Sequence, residues 1–336
     1  MNKLIRIPYE DMILEFSRVL EKYLEGEEKR SLCAKLFANA SRDGVASHGL
    51  NRFPLFIDYI EQGFIKPEHE PRLIQQMGNI LRWDGQFGIG NLNAWHCMQH
   101  TLQVAKEQAW AMSTLSYTNH WMRGGNFGWQ AVDQGCIGIC WTNTIPNMAA
   151  WGGKKAVIGN NPLIVGLPHP ETPMVWDAAM SQYSFGKLNT HKIRQTPLPM
   201  PGGWNQKGEL TTDAQAILEG GIVLPIGFWK GAGLSLILDI LASGLSGGEN
   251  SRKVGDRKNE YGVSQVFIAI DPTKLGLSDS WQNNMTDSLN FYLADSLEAP
   301  GNNIRYPGQH TLKIRAENME LGVPVDSFYW EKVLSL

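Results

Sequence analysis

The stretch Asp43-Gly44-Val45-Ala46-Ser47-His48-Gly49-Leu50-Asn51-Arg52 gathers a hydroxyl, an imidazole, an amide and a guanidinium in one short segment. An imidazole is the usual proton donor and acceptor near neutral pH. A guanidinium presents a planar fork that matches a carboxylate. Ser47, His48 and Arg52 together therefore fit proton transfer to a small acidic molecule. The plain alternative is a helix C-cap at Gly44, an exposed His and a surface Arg, so the rest of the chain has to decide.

Other segments offer compatible chemistry. Asn119-His120-Trp121-Met122-Arg123-Gly124-Gly125 follows an apolar run, where the end of a strand commonly carries site residues on a loop. A simple turn around a packed Trp is its bland counterpart. Met174-Val175-Trp176-Asp177-Ala178 places a carboxylate at a strand end. There it can orient a His, bind a ribose hydroxyl or cap a helix. Trp229-Lys230 stands between glycines just before an apolar helix, and Gly308-Gln309-His310 precedes another helix start. Backbone amides at such starts suit a diphosphate.

Several familiar arrangements fail. Gly88-Ile89-Gly90-Asn91-Leu92-Asn93 opens like a dinucleotide fingerprint, but Asn93 stands where the third glycine belongs, so a Rossmann unit is not expected. Gly152-Gly153-Lys154-Lys155 lacks the upstream glycine of a phosphate loop. His96 and His100 share a helical face, yet Cys97 replaces the glutamate of a zinc helix and no third ligand is evident. No metal site and no serine-hydrolase elbow are expected.

The positioning elements follow from periodicity. Met12, Ile13, Phe16, Val19 and Leu20 recur at helical spacing after Pro8, and a second helix runs from about Glu27 towards Gly44. A third carries Phe53, Phe56, Ile57 and Ile60 and ends at Gly63. The anchor segment is thus a loop between helices. Strands are expected at Ile80–Asp84, Ala111–Tyr117, Ile137–Thr142, Leu163–Leu167, Met174–Ala178 and Val266–Ile270. Helices are expected at Asn93–Gln108, Gly231–Leu245 (buried nearly all round), Asp279–Leu297, Thr311–Leu321 and Ser327–Leu334. Strands do not alternate strictly with helices, which favours an α+β fold over a doubly wound sheet.

The chain of 336 residues supports two packed units. A net charge of −3 without a basic face argues against a nucleic-acid partner. No run is apolar enough for a signal peptide or a membrane span. Four scattered cysteines read as reduced, buried thiols, which places the protein in the cytoplasm. The 35 glycines provide for many tight turns and close backbone approaches.

Taken in order, Ser47-His48-Gly49 with Asn51-Arg52, Asn119-His120 with Gly124-Gly125, Gly159-x-Asn161-Pro162, Asp177 with Ser181, Lys230-Gly231-x-Gly233 and Pro307-Gly308 resemble the malate/L-lactate/sulfolactate dehydrogenase family. The resemblance covers nearly the whole chain. It implies a non-Rossmann α+β unit at about 76–299 that binds the dinucleotide, and a helical unit built from 1–75 and about 300–336. It also implies a homodimer with the active site near the subunit interface. By that resemblance NADH, or alternatively NADPH, reduces the C2 carbonyl of a 2-oxo acid, with a 2-oxo sugar acid as the expected substrate. A malate- or lactate-type hydroxyacid or a cyclic imino acid is the alternative, and a non-catalytic sugar-acid binding protein is the rival of another class. His48 is then the proton donor, and Ser47, Arg52 and His120 bind substrate. Met174, Val175, Trp176, Asp177, Ala178, Trp229, Lys230, Gly308, Gln309 and His310 are the cofactor contacts. Asp177 is left between cofactor binding and the orientation of His48.

Overall fold

The strand Val263–Ile270 is apolar at six of its eight positions, Ser264 and Gln265 excepted, and both of its faces are covered. Phe267 and Ala269 point into one core cluster, and Val266 into another. In the computed structural model, which describes residues 4–298 and 304–336 and no side chains of 295–298, this strand lies at the centre of a seven-stranded sheet. The sheet order is Arg72–Met77, Ile80–Asp84, Trp110–Thr118, Val263–Ile270, Ile137–Thr142, Leu163–Leu167, Met174–Ala178. Only the Ile80–Asp84 and Trp110–Thr118 pair is parallel. A mixed, mostly antiparallel sheet of this kind is the expected α+β fold.

One face of the sheet is covered by the helices Gly90–Gln108 and Gly125–Asp133. Ala94, Cys97, Met98 and Leu102 from the first meet Phe127 and Ala131 from the second over Leu115 and Phe267. The opposite face carries the helix Trp229–Ser246 and a small sheet of short strands between Met148 and Val223. Those strands, two or three residues each, are too short to leave a readable alternation, and neither they nor the helix Phe185–Arg194 were expected.

The chain ends form a third cluster. Phe16, Phe37, Phe53 and Phe56 are fully or almost fully buried, and the Phe16 and Phe53 rings stack 4.4 Å apart. Val323 and Val325 join them from a strand, Val323–Asp326, that pairs antiparallel with Leu4–Ile7 and ties the termini together. This pairing is absent from the helical reading of the chain ends. The first strand of the large sheet begins at Arg72, so a division at 75 would cut it; the division near 300 lies outside the described residues.

Two expected loops are partly helical. The segment after His120 enters the helix Gly125–Asp133, and the anchor segment forms successive 3-10 turns, Ala46–His48 and Leu50–Arg52. The helix Trp229–Ser246 exists as expected, but it is not buried all round. Ile237 and Ile240 are 54% and 58% exposed, with Leu236 and Leu241 beside them. Its inner face alone, Ala232, Ser235, Leu238 and Ala242, meets the core.

A buried ion cluster fastens the anchor segment to the fold. The Asp43 carboxylate accepts from Arg42 Nε (2.8 Å), from Arg123, and from Arg315 Nε and Nη2 (2.9 and 2.7 Å). These donors come from the Glu27–Arg42 helix, the loop after Thr118 and the helix Gln309–Leu321. Although burial raises its pKa, the arginines win, and the carboxyl is held well below the usual carboxylate range. Asp43→Ala leaves arginines uncompensated in the interior and is expected to cost about 3–5 kcal/mol, read as a lower denaturant midpoint. An unchanged midpoint would mean the cluster contributes nothing net.

Candidate active site

Gly44 takes a left-handed φ of 84° as the Glu27–Arg42 helix ends, and turns the chain back across the helix terminus. Gly49 then lies so close to that helix that a Cβ would stand 2.2 Å from Ser41 Oγ. The Leu50 amide donates to the same hydroxyl at 2.8 Å. The 3-10 turns between these fixed points hold Ser47, His48 and Arg52. Phe53, immediately after Arg52, locks the segment into the phenylalanine cluster.

The anchor meets the loop that follows the Trp110–Thr118 strand. His48 and His120 stack with ring centroids 5.8 Å apart. Ser47 Oγ lies 3.0 Å from His48 Nδ1, leaving His48 Nε2 for another partner. The Met122 amide donates to His120 Nδ1 at 2.9 Å, in a tight turn where Met122 itself has a φ of 62°. That bond leaves the proton of a neutral His120 ring on Nε2. Among the described residues the Arg52 guanidinium makes no hydrogen bond or ion pair.

Burial pushes the His48 imidazole down to about 4; Asp177 draws it up, while Arg52 and Arg123 lower it further. Burial, Arg52 and His48 hold His120 well below the usual histidine range. Arg52 is thus an uncompensated cation beside imidazoles held in the neutral form, a setting that attracts an anion, whose negative charge in turn favours protonation of the ring.

Asp177 approaches from the last strand of the sheet. Its Oδ2 accepts from the Gly125 amide at 2.9 Å, at the head of the Gly125–Asp133 helix, and lies 3.9 Å from Arg123 Nε. Its bonds go to the helix start rather than to His48, on which it acts through space.

The expected cofactor contacts gather along the same strand. Gly308, with a φ of 93°, packs against the Val175 amide and the Trp129 ring, so the start of the Gln309–Leu321 helix faces Met174–Ala178. Beyond Ala178 the chain pairs with the segment leading to the Trp229–Ser246 helix: Ser181 bridges Pro225, and the Ile226 amide donates to Met180 at 2.8 Å. Trp229 and Lys230 thus stand near the end of the strand, Trp229 at 64% exposure, after Phe228 with a φ of 61°. Strain in such a turn commonly marks a ligand site. Gln309 Oε1 and Trp129 Nε1 are buried with no partner among the described residues. Exposed indole and lysine, two helix starts and unpaired polar atoms fit a nicotinamide dinucleotide. His310 is exposed at the edge of this group and Trp176 faces outward from it.

His96 and His100 lie elsewhere. Their rings lie 4.4 Å apart, tilted by 49°, pack against Trp83, and line a groove with Lys29, Glu70 and Trp95 on the outer side of the Gly90–Gln108 helix. Among the described residues no group of His, Cys, Asp or Glu is large enough to hold a metal.

One residue the sequence did not single out enters the pocket. Glu260 Oε1 lies 3.8 Å from His120 Nε2, and Glu260 Oε2 accepts from the Ile145 amide at 2.9 Å. Glu260 follows the charged run Arg257-Lys258, which reads as a solvated loop, and its contacts join segments far apart in the chain. No local signal marks it.

Residues 7–334 match the family model described as malate/L-lactate dehydrogenase. The chain is 40% identical over 334 residues to a 2,3-diketo-L-gulonate reductase of Escherichia coli, covering 99% of this chain and 100% of that one. The sulfolactate dehydrogenase of Methanocaldococcus jannaschii superposes with a TM-score of 0.86 at 26% identity, over 98% of this chain and 95% of that one. Malate dehydrogenase of Entamoeba histolytica superposes with a TM-score of 0.91 over 99% and 97% of the two chains; at 23% identity it speaks to the fold alone.

Proposed function

The chain belongs to the malate/L-lactate dehydrogenase family and is an oxidoreductase using a nicotinamide cofactor, and from that premise we propose that it reduces a 2-oxo sugar acid, 2,3-diketo-L-gulonate to 3-keto-L-gulonate, with NADH. The observation that carries the reading is the unpaired Arg52 guanidinium beside the stacked His48 and His120 rings, 5.8 Å apart. The 40% identity to a reductase of that name supports the sugar acid over malate or lactate.

The dinucleotide, when bound along Met174–Ala178, Trp229-Lys230 and Gly308-Gln309, supplies the hydride. The protein's residues do the rest. Arg52 receives the substrate carboxylate, with its fork making paired hydrogen bonds. Ser47 and the Nε2–H of His120 hold substrate oxygens, fixing the carbonyl near His48. His48 gives a proton to the oxygen at C2 as negative charge develops there, and takes it back in the reverse direction. Asp177 attracts charge onto His48 and so eases its protonation.

The exposed apolar face around Ile237 and Ile240 supports a homodimer, since a patch of that kind is costly in a monomer. The free, buried cysteines support a cytoplasmic setting; no helix among the described residues is long and apolar enough to cross a membrane. The segment before Arg72 and the elements from the helix Gln309–Leu321 onward act as the helical unit, and the span that begins at Arg72 as the dinucleotide unit.

The test is NADH consumption with 2,3-diketo-L-gulonate, pyruvate and oxaloacetate side by side. The reading expects the diketo sugar acid to give the highest kcat/KM. Faster turnover of oxaloacetate or pyruvate would replace the substrate, and NADPH outperforming NADH would replace the cofactor.

A further inference from the structure

We propose that Glu260 is a specificity-determining residue that admits 2-oxo and 2-hydroxy acids with a neutral, hydroxylated tail and rejects those with a second anionic group. The inference rests on the substrate-site reading above and names what that site selects against.

The pocket has a polarity. Arg52 supplies the cationic end, and its guanidinium is unpaired among the described residues. Glu260 supplies an anionic end: its Oε1 is 3.8 Å from His120 Nε2, and its side chain is 12% exposed. The two charges act on each other without forming an ion pair, and both act on the Tyr59 hydroxyl, which the Glu260 backbone also reaches. A molecule whose carboxylate lies on Arg52 and whose carbonyl lies between His48 and His120 therefore directs its remaining atoms past His120 towards Glu260.

Glu260 is held to accept hydrogen bonds. Its Oε2 is taken by the Ile145 amide at 2.9 Å, and among the described residues no side-chain donor other than His120 Nε2 pairs with Oε1. Burial raises its pKa above the usual carboxylate value, and the Ile145 amide and Arg52 offset only part of that rise. A carboxylate with spare acceptor capacity in a confined site rewards a hydroxyl, which can donate to it. It repels a second carboxylate or a sulfonate, because like charges brought together away from water cost heavily. The bland alternative is a carboxylate that merely orients His120. Such a role would weaken every ligand alike.

The experiment is calorimetric titration of the full-length protein with L-threonate and L-malate. Both are four-carbon 2-hydroxy acids, one with a neutral hydroxylated tail and one with a second carboxylate. The wild type is expected to prefer threonate by on the order of 30-fold, as one poorly screened like-charge contact implies. Glu260→Gln is expected to bring the two affinities within about threefold of each other, and Glu260→Asp, which keeps the charge, to retain the preference. Comparable binding of malate and threonate by the wild type would overturn the proposal. So would a Glu260→Gln protein that loses affinity for both acids equally. Because binding is read without turnover, absence of NADH oxidation would count against the hydride-transfer reading and leave this ratio to decide the role of Glu260.

Discussion

Replacing His48 by alanine is expected to lower kcat for reduction by roughly 10²–10⁴-fold, the usual contribution of a positioned acid–base group. NADH binding, read by fluorescence, should stay nearly intact, because the residues along Met174–Ala178 and at Gly308 are untouched. The pH profile sharpens the expectation. In the free protein burial pushes the imidazole down to about 4, with Arg52 and Arg123 acting in the same direction. Reduction needs the protonated ring, so kcat/KM, which reports the free enzyme, falls as pH rises above about 4. A bound substrate carboxylate neutralises Arg52 and removes one cause of the depression. The pKa in the complex is therefore higher, and kcat holds to a higher pH than kcat/KM. Oxidation needs the neutral ring and gains as pH rises. In His48→Ala these limbs should vanish. A variant with wild-type turnover, or one that keeps the same pH limbs, would assign the proton to another group.

Arg52→Ala should act chiefly on binding. Removing one partner of a buried, hydrogen-bonded charge pair costs about 3 kcal/mol, or roughly 100-fold in KM. The effect on kcat should be smaller, because the carbonyl still meets His48 and His120 once bound. Loss of the guanidinium also removes a positive charge that lowers His48. The kcat/KM limb should then move to higher pH. Substrate affinity unchanged in Arg52→Ala would give the carboxylate another receptor.

Much of this was legible in the residues. The helical period that buries Met12, Phe16 and Leu20 marked the first helix, and the short stretch Ile80–Asp84 was read as the strand it forms. The anchor could be read because its chemistry is local: the hydroxyl, imidazole and guanidinium lie within one turn-forming stretch. What escaped was non-local. The pairing of Leu4–Ile7 with Val323–Asp326, the Asp43 cluster that draws Arg123 and Arg315 together, and Glu260 beside His120 all join residues distant in the chain. The largely apolar helix Trp229–Ser246 shows a different limit. Composition alone cannot separate a helix covered on all sides by its own chain from one whose outer face is exposed.

The most direct test of hydride transfer to C2 uses NADH deuterated at the transferable position of C4, with 2,3-diketo-L-gulonate as substrate and mass spectrometry of the product. The account predicts one deuterium retained on the C2 carbon of 3-keto-L-gulonate, formed by the wild type and far more slowly by His48→Ala. A product reduced without deuterium from labelled cofactor, or deuterium on any other carbon, would contradict it.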